Sequence, residues 1–239
     1  MTFEFVIAVA TNSSKRFMSF INSLNNTVDK EELFLVIIDT TVNGLSEREK
    51  NTIKLNYLYQ HVPVKERLPY AQVMKLKVDA VQQFCKGTKF YWNTDDDYVF
   101  NPRWFSVIKL LLSHEEIDYL SLLKIVKTIE EPPKLYSQFS LLRACSCMGG
   151  AFGARVNSFF PVIERYFKMY GTNNMFDQKF WELLQEFTGR KDNIFILDNF
   201  SLIQHCNLVS SYLNQKGSRL EHQYGLDFEP VGDPFNLIT

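Results

Sequence analysis

The sequence predicts an α/β protein, with a mostly parallel central sheet and helices on both of its faces. Three observations predict it. Short apolar runs alternate with segments of helical period through the first hundred residues. The run Leu33-Phe34-Leu35-Val36-Ile37-Ile38 is continuously apolar and ends at Asp39, as a parallel strand covered on both faces should be. A third run, with Phe90, Tyr91 and Trp92, leads straight into Asp95-Asp96-Asp97. Ligands of open α/β sheets bind in the crevice outside the strand ends, so this is where a site is expected.

The elements follow in order. Phe3 to Ala10 reads as a first buried strand. After it, Ser13 or Ser14 can cap a helix whose apolar face is Phe17, Phe20, Ile21 and Leu24. Ser46 with Glu49 is a capping box for a helix running to about Tyr59. An extended piece covers His61 to Val64. A helix from Tyr70 to Phe84 then buries Val73, Leu76 or Lys77, Ala80, Val81 and Phe84, with Gly87 as its stop. This βαβαβαβ order, closed by the acidic strand, is the grammar of a nucleotide-binding sheet. Asn101-Pro102 opens a helix over Trp104 to Leu112, and Tyr119 to Val126 is a further strand. Glu130-Glu131-Pro132-Pro133 breaks the chain. Beyond it lie a glycine-rich stretch, Met148 to Arg155, a helix over Asn157 to Tyr170, and a stripe of Phe176, Phe180, Leu183, Leu184 and Phe187 behind Asp177. Ile194 to Leu197 and Leu202 to Cys206 read as late strands. No repeat or linker divides the chain. It is read as one domain over 1–239, with a nucleotide-binding half (1–100), an acceptor and catalytic half (101–212) and a tail or lid (213–239).

Composition narrows the function. The 239 residues carry a formal net charge of −1, without the basic excess of a nucleic-acid binder. No stretch approaches the roughly 18 apolar residues of a membrane span, and the first strand is too short and too poorly flanked for a signal peptide. Four cysteines (Cys85, Cys145, Cys147, Cys206) make no secretory framework. A soluble cytoplasmic protein is expected. Cys145-Ser146-Cys147 with His205-Cys206 invites a zinc site, but zinc usually shows Cys-x₂₋₄-Cys pairs and buried thiols are the simpler reading.

Three adjacent carboxylates need a cation or water, because desolvating even one unpaired charge costs several kcal/mol. Carboxylates are ligands for hard divalent cations; a solvated acidic turn is the competing reading. In extended backbone Asp95 and Asp97 share one side while Asp96 points away. Thr11, Asn12 and Ser13 stand at the end of the first strand and Asp39 at the end of the second.

The ordered features resemble the GT-A fold, the Rossmann-like fold of nucleotide-sugar-dependent glycosyltransferases. The resemblance rests on Asp-x-Asp at Asp95-Asp96-Asp97, then Gly149-Gly150-Ala151-Phe152-Gly153, then the acidic helix start Phe176-Asp177-Gln178, then His205. It covers Phe5 to about Tyr212. Size and the missing anchor look like the small soluble glycosyltransferases of large algal viruses. The resemblance implies metal-dependent transfer of a sugar, with inversion, from a nucleoside-diphosphate sugar, UDP by preference, to a hydroxyl on a glycan or glycoprotein. It implies Mn²⁺ or Mg²⁺ on Asp97, Asp95 and His205, with Asp95 and Asp96 also beside the nucleotide, and Asp177 as the base. It also puts Thr11, Asn12, Ser13 and Asp39 where the nucleotide's base and ribose are held, with Arg16 and Lys75 as candidates for the diphosphate. Only one acid stands at Asp177 where many members have two, so helix-dipole stabilisation remains open for it. A sugar-phosphate nucleotidyltransferase and a non-catalytic nucleotide- or carbohydrate-binding module are the alternatives. The former usually has a glycine-rich basic loop where Thr11-Asn12-Ser13-Ser14 has no glycine.

Overall fold

The computed structural model describes residues 3–25, 27–28, 32–64, 66–121, 131–144, 150–172, 176–188, 194–197 and 202–205. Among them a nine-stranded sheet runs in the order β3-β2-β1-β4-β9-β6-β10-β8-β7, where β1 is Phe5–Thr11, β2 Leu33–Asp39, β3 Leu58–Pro63, β4 Phe90–Asp95, β6 Tyr119–Ser121, β7 Lys134–Tyr136, β8 Phe139–Arg143, β9 Phe152–Arg155 and β10 Ile194–Leu197. A two-stranded sheet pairs β5 (Tyr98–Phe100) with β11 (Ile203–His205). The helices are α1 (Ser14–Asn25), α2 (Glu47–Asn56), α3 (Tyr70–Phe84), α4 (Trp104–Leu112), α5 (Val156–Tyr170) and α6 (Phe176–Thr188).

The first four sheet neighbours, β3, β2, β1 and β4, are parallel. Antiparallel β9 then intervenes between β4 and β6. Alternate residues of the central strands feed two cores. Phe5, Ile7, Val9, Leu35 and Ile37 face α1 and α4 on one side. Val6, Ala8, Val36 and Ile38 face α3, with α5 and α6 in the same layer, on the other. Burial on both faces is why β2 reads as an unbroken apolar run.

Most expected elements are present, with four differences. α2 keeps its Ser46–Glu49 capping box but ends at Asn56, because the edge strand β3 already starts at Leu58. α4 starts at Trp104, while Asn101 takes the Arg103 amide on its side chain in a turn just before the helix. The acidic strand stops at Asp95, and Asp96-Asp97 form a turn into β5. The hairpin β7–β8, turning at Ser137 with φ 55°, was not expected. Of the expected strand Tyr119 to Val126 the described part is β6; the glycine-rich stretch is described from Gly150 onward. Cys145, Cys147 and Cys206, and with them the zinc reading, lie outside the described residues, as does the tail. The described Cys85 is a buried free thiol, pushed up to about 12 by burial.

Candidate functional site

Register brings the expected residues to one edge of the sheet. Ala10 lies opposite Asp95, Thr11 opposite Asp39, and Asp39 opposite Pro63. Thr11 ties these ends together. Its carbonyl accepts from the Thr40 amide (2.8 Å) and hydroxyl (2.9 Å), and its hydroxyl reaches Asp96 Oδ2 at 2.7 Å.

The three carboxylates take different surroundings. Asp96 is buried between β1 and α1, with Arg16 Nε 3.4 Å from its Oδ1. Burial pushes its carboxyl up to about 7; Arg16 and the Thr11 hydroxyl oppose that, and neighbouring Asp97 and Asp95 add to it. Asp95 and Asp97 are partly exposed. The strand rule that put Asp95 and Asp97 on one side does not extend here, because β4 ends at Asp95 and the backbone turns at Asp96-Asp97.

A cation that the sequence had left as an alternative to Leu76 meets Asp95 from below. Lys77 of α3 is fully buried, and its Nζ donates to Thr94 O (2.7 Å), Asn93 Oδ1 (2.9 Å) and Asp95 Oδ1 (3.3 Å). Burial lowers its proton affinity below the usual lysine value, and Asp95 leads the carboxylates that partly oppose this. Lys75, the expected phosphate partner, instead pairs with Asp79 at 2.7 Å on the exposed face of α3. Arg16 is likewise engaged, with Asp96 and with the Asn12 side-chain oxygen. The signal for Lys77 was in the sequence: it falls on the stripe Val73, Met74, Ala80, Val81, four positions that α3 buries.

Asp39 differs from expectation too. Its Oδ1 accepts from the Thr41 amide (3.0 Å) and hydroxyl (2.5 Å), its Oδ2 from the Leu45 amide (2.9 Å) and His61 Nε2 (2.9 Å). Burial alone would raise this carboxyl, but those donors outweigh it and hold it below the usual range. The carboxylate's accepting positions serve the 40–45 loop and His61 rather than a nucleobase.

Gly150 closes the other side of the acidic turn. A Cβ there would stand 2.9 Å from Tyr98 Oη and 3.1 Å from Asp95 Oδ2, so a larger residue would displace one or both side chains. The pairing of β5 with β11 sets the His205 backbone opposite Tyr98, the residue after Asp97. Asp177 is the second residue of α6. Next to it, Phe176 packs edge-on to Tyr70 (5.5 Å between centroids), and the Tyr70 hydroxyl accepts from Asn93 Nδ2 at 3.3 Å. The start of α6 is thus joined through Tyr70 to the strand carrying Asp95. The side chains of Asp177 and His205 lie outside what is described.

No protein-family model matches the chain, and no curated protein matches it. Solved structures do. S. aureus TarS in complex with UDP is 14% identical, with a TM-score of 0.57 over 85% of this chain and 60% of that one. GalNAc-T7 with UDP, GalNAc and Mn²⁺ is 12% identical, with a TM-score of 0.62 over 86% of this chain and 43% of that one. The fold is GT-A. The chain spans three-fifths or less of the length of these neighbours, and the likeness at such identity concerns the fold.

The acidic turn stands at the end of β4, beside the ends of β1 and β2. Among the described residues no three His, Cys, Asp or Glu groups are clustered to hold a metal. The donor set still fits Mg²⁺ or Mn²⁺, since Asp95 and Asp97 are two partly exposed carboxylates on one turn. Mg²⁺ is commonly bound by one or two carboxylates plus substrate phosphates rather than by an all-protein cage.

Proposed function

We propose that this protein is a glycosyltransferase that moves a sugar from a nucleoside-diphosphate sugar, with UDP the preferred nucleotide, to a hydroxyl of a glycan or glycoprotein, inverting the anomeric centre. The observation that carries the reading is the acidic turn at the end of β4, backed by Lys77 and Arg16 and bordered by Gly150, in a GT-A sheet. The UDP and Mn²⁺ held by structural neighbours support the donor class.

Asp95 and Asp97, with His205 from β11, would hold Mn²⁺ or Mg²⁺. Bound there, the cation would neutralise charge on the departing nucleoside diphosphate. Thr11, Asn12 and Ser13 form the nucleotide-side wall, and Asp39 keeps the adjoining loop in place. Asp96, held by Thr11 and Arg16, keeps the turn in register with that wall. Asp177, in the first turn of α6, takes the proton from the acceptor hydroxyl as its oxygen attacks the anomeric carbon.

Incubation with a panel of UDP- and GDP-sugars, with and without Mn²⁺, tests the reading by release of free nucleoside diphosphate. Metal-stimulated release of UDP from one donor is expected, with a thermal shift for the same pair, since a ligand that binds only the folded state raises its stability. No release and no shift from any donor would remove the proposal.

A further inference from the structure

Lys77 is a charged side chain where an apolar one is expected. Its neighbours on the buried face of α3 are Val73 and Met74 one turn earlier and Ala80 and Val81 one turn later. An ammonium withdrawn from water survives only if it is paired and hydrogen-bonded. Lys77 has three oxygen acceptors within 3.3 Å, for its three protons. Asn93, one of them, is itself fixed by Tyr91 Oη and Tyr70 Oη, both at 3.3 Å. The side chain is therefore locked, and it is locked onto Asp95.

We propose that Lys77 is a built-in counter-ion of the acidic turn, a positioning residue that holds Asp95 by Oδ1 and moderates the affinity of the turn for a divalent cation. The proposal rests on Asp95 and Asp97 being the carboxylates that hold that cation. Two features of the geometry support it. The ammonium engages Oδ1, while Oδ2 lies toward Gly150. And charges are balanced from two directions, Arg16 meeting Asp96 from α1 and Lys77 meeting Asp95 from α3. A fixed positive charge beside the ligand oxygens repels an incoming cation, and the repulsion is poorly screened because the ammonium is buried. The same charge lets adjacent carboxylates stay close together when no cation is bound.

The test titrates Mn²⁺ alone, without nucleotide, against the full chain and against Lys77→Met, reading the EPR signal of free Mn²⁺, with thermal melts in EDTA alongside. Lys77→Met is expected to bind Mn²⁺ about tenfold more tightly, equivalent to about 1.4 kcal/mol. Its melting temperature in EDTA should be lower, and Mn²⁺ should restore more of it than in the parent. Equal or weaker Mn²⁺ binding by the folded variant overturns the proposal. Binding detected for the variant alone also supports the proposal, the native affinity then lying below the titrated range. Binding by neither overturns the proposal, with nucleotide release remaining as the separate test of glycosyl transfer. If Lys77→Met does not fold, Asp95→Asn decides. Removing the partner of a buried ammonium should lower the melting temperature in EDTA; an unchanged or higher value overturns the proposal.

Discussion

Asp96 illustrates how a single carboxylate can be structurally placed and energetically unfavourable together. Its Thr11 hydrogen bond and Arg16 contact fix the turn, yet burial lifts it from the ordinary 3.8 to about 7. The folded state therefore binds this proton more tightly than the unfolded chain does. Its contribution to stability is full below the unfolded-state value and is lost as pH rises through about 7. Asp96→Asn keeps the shape and removes the titration. In EDTA, the melting temperature of the variant relative to the parent should rise between about pH 4 and about pH 8; a constant offset would count against the assignment. The sequence pointed to these carboxylates because three acids end an aromatic strand. It was less informative about what meets them. Lys75 and Lys77 are separated by one residue, so on a helix they face about 200° apart, and only the apolar stripe through Val73 and Val81 says which turns inward. Nor could adjacency show that Asp39 is saturated, since its partners Leu45 and His61 come from a loop and from another strand.

At the scale of elements, β4 and β9 must approach closely for Gly150 to reach the acidic turn. Trp92 lies opposite Gly153, and an added Cβ there would stand 2.9 Å from the indole and 3.2 Å from Leu112 Cδ1. Trp92 cannot easily move, because it packs edge-on against Trp104 at 4.8 Å. Gly153→Ala is expected to destabilise the fold by ~1–3 kcal/mol, the range for overpacking a filled core. The urea midpoint should fall with little change in slope, whereas an unchanged midpoint would mean that the two tryptophans can yield. The three glycines near this strand were visible in the sequence as a place of close backbone approach, but the antiparallel direction of β9 was not. Its four residues, Phe-Gly-Ala-Arg, are too few to carry a direction. The β7–β8 hairpin was missed for a related reason: Lys134, Leu135 and Tyr136 are too few to establish a period of two, and Leu135 is exposed.

Across the whole molecule, the sheet collects its chemistry at one edge because parallel strands β1, β2 and β4 all end there, and β5–β11 folds the late histidine's backbone back beside them. The opposing helix α6 joins this edge through Phe176, Tyr70 and Asn93. The proposed function assigns donor binding to the acidic turn and proton removal to the start of α6, and the two roles can be measured separately. Asp177→Asn preserves size and helix position. If Asp177 is the base, donor affinity should scarcely change, because the nucleotide wall and Asp95 with Asp97 remain intact. Transfer should fall roughly 10²–10⁴-fold, the usual contribution of a general base. A single attack on the face opposite the leaving group inverts the anomeric carbon, so NMR of the product should show the configuration opposite to the donor's. Retention would rule out single displacement however inactive the variant proved. Normal turnover by Asp177→Asn would leave inversion possible, move the base to another residue, and leave Asp177 as an acid favoured by the amino end of its helix.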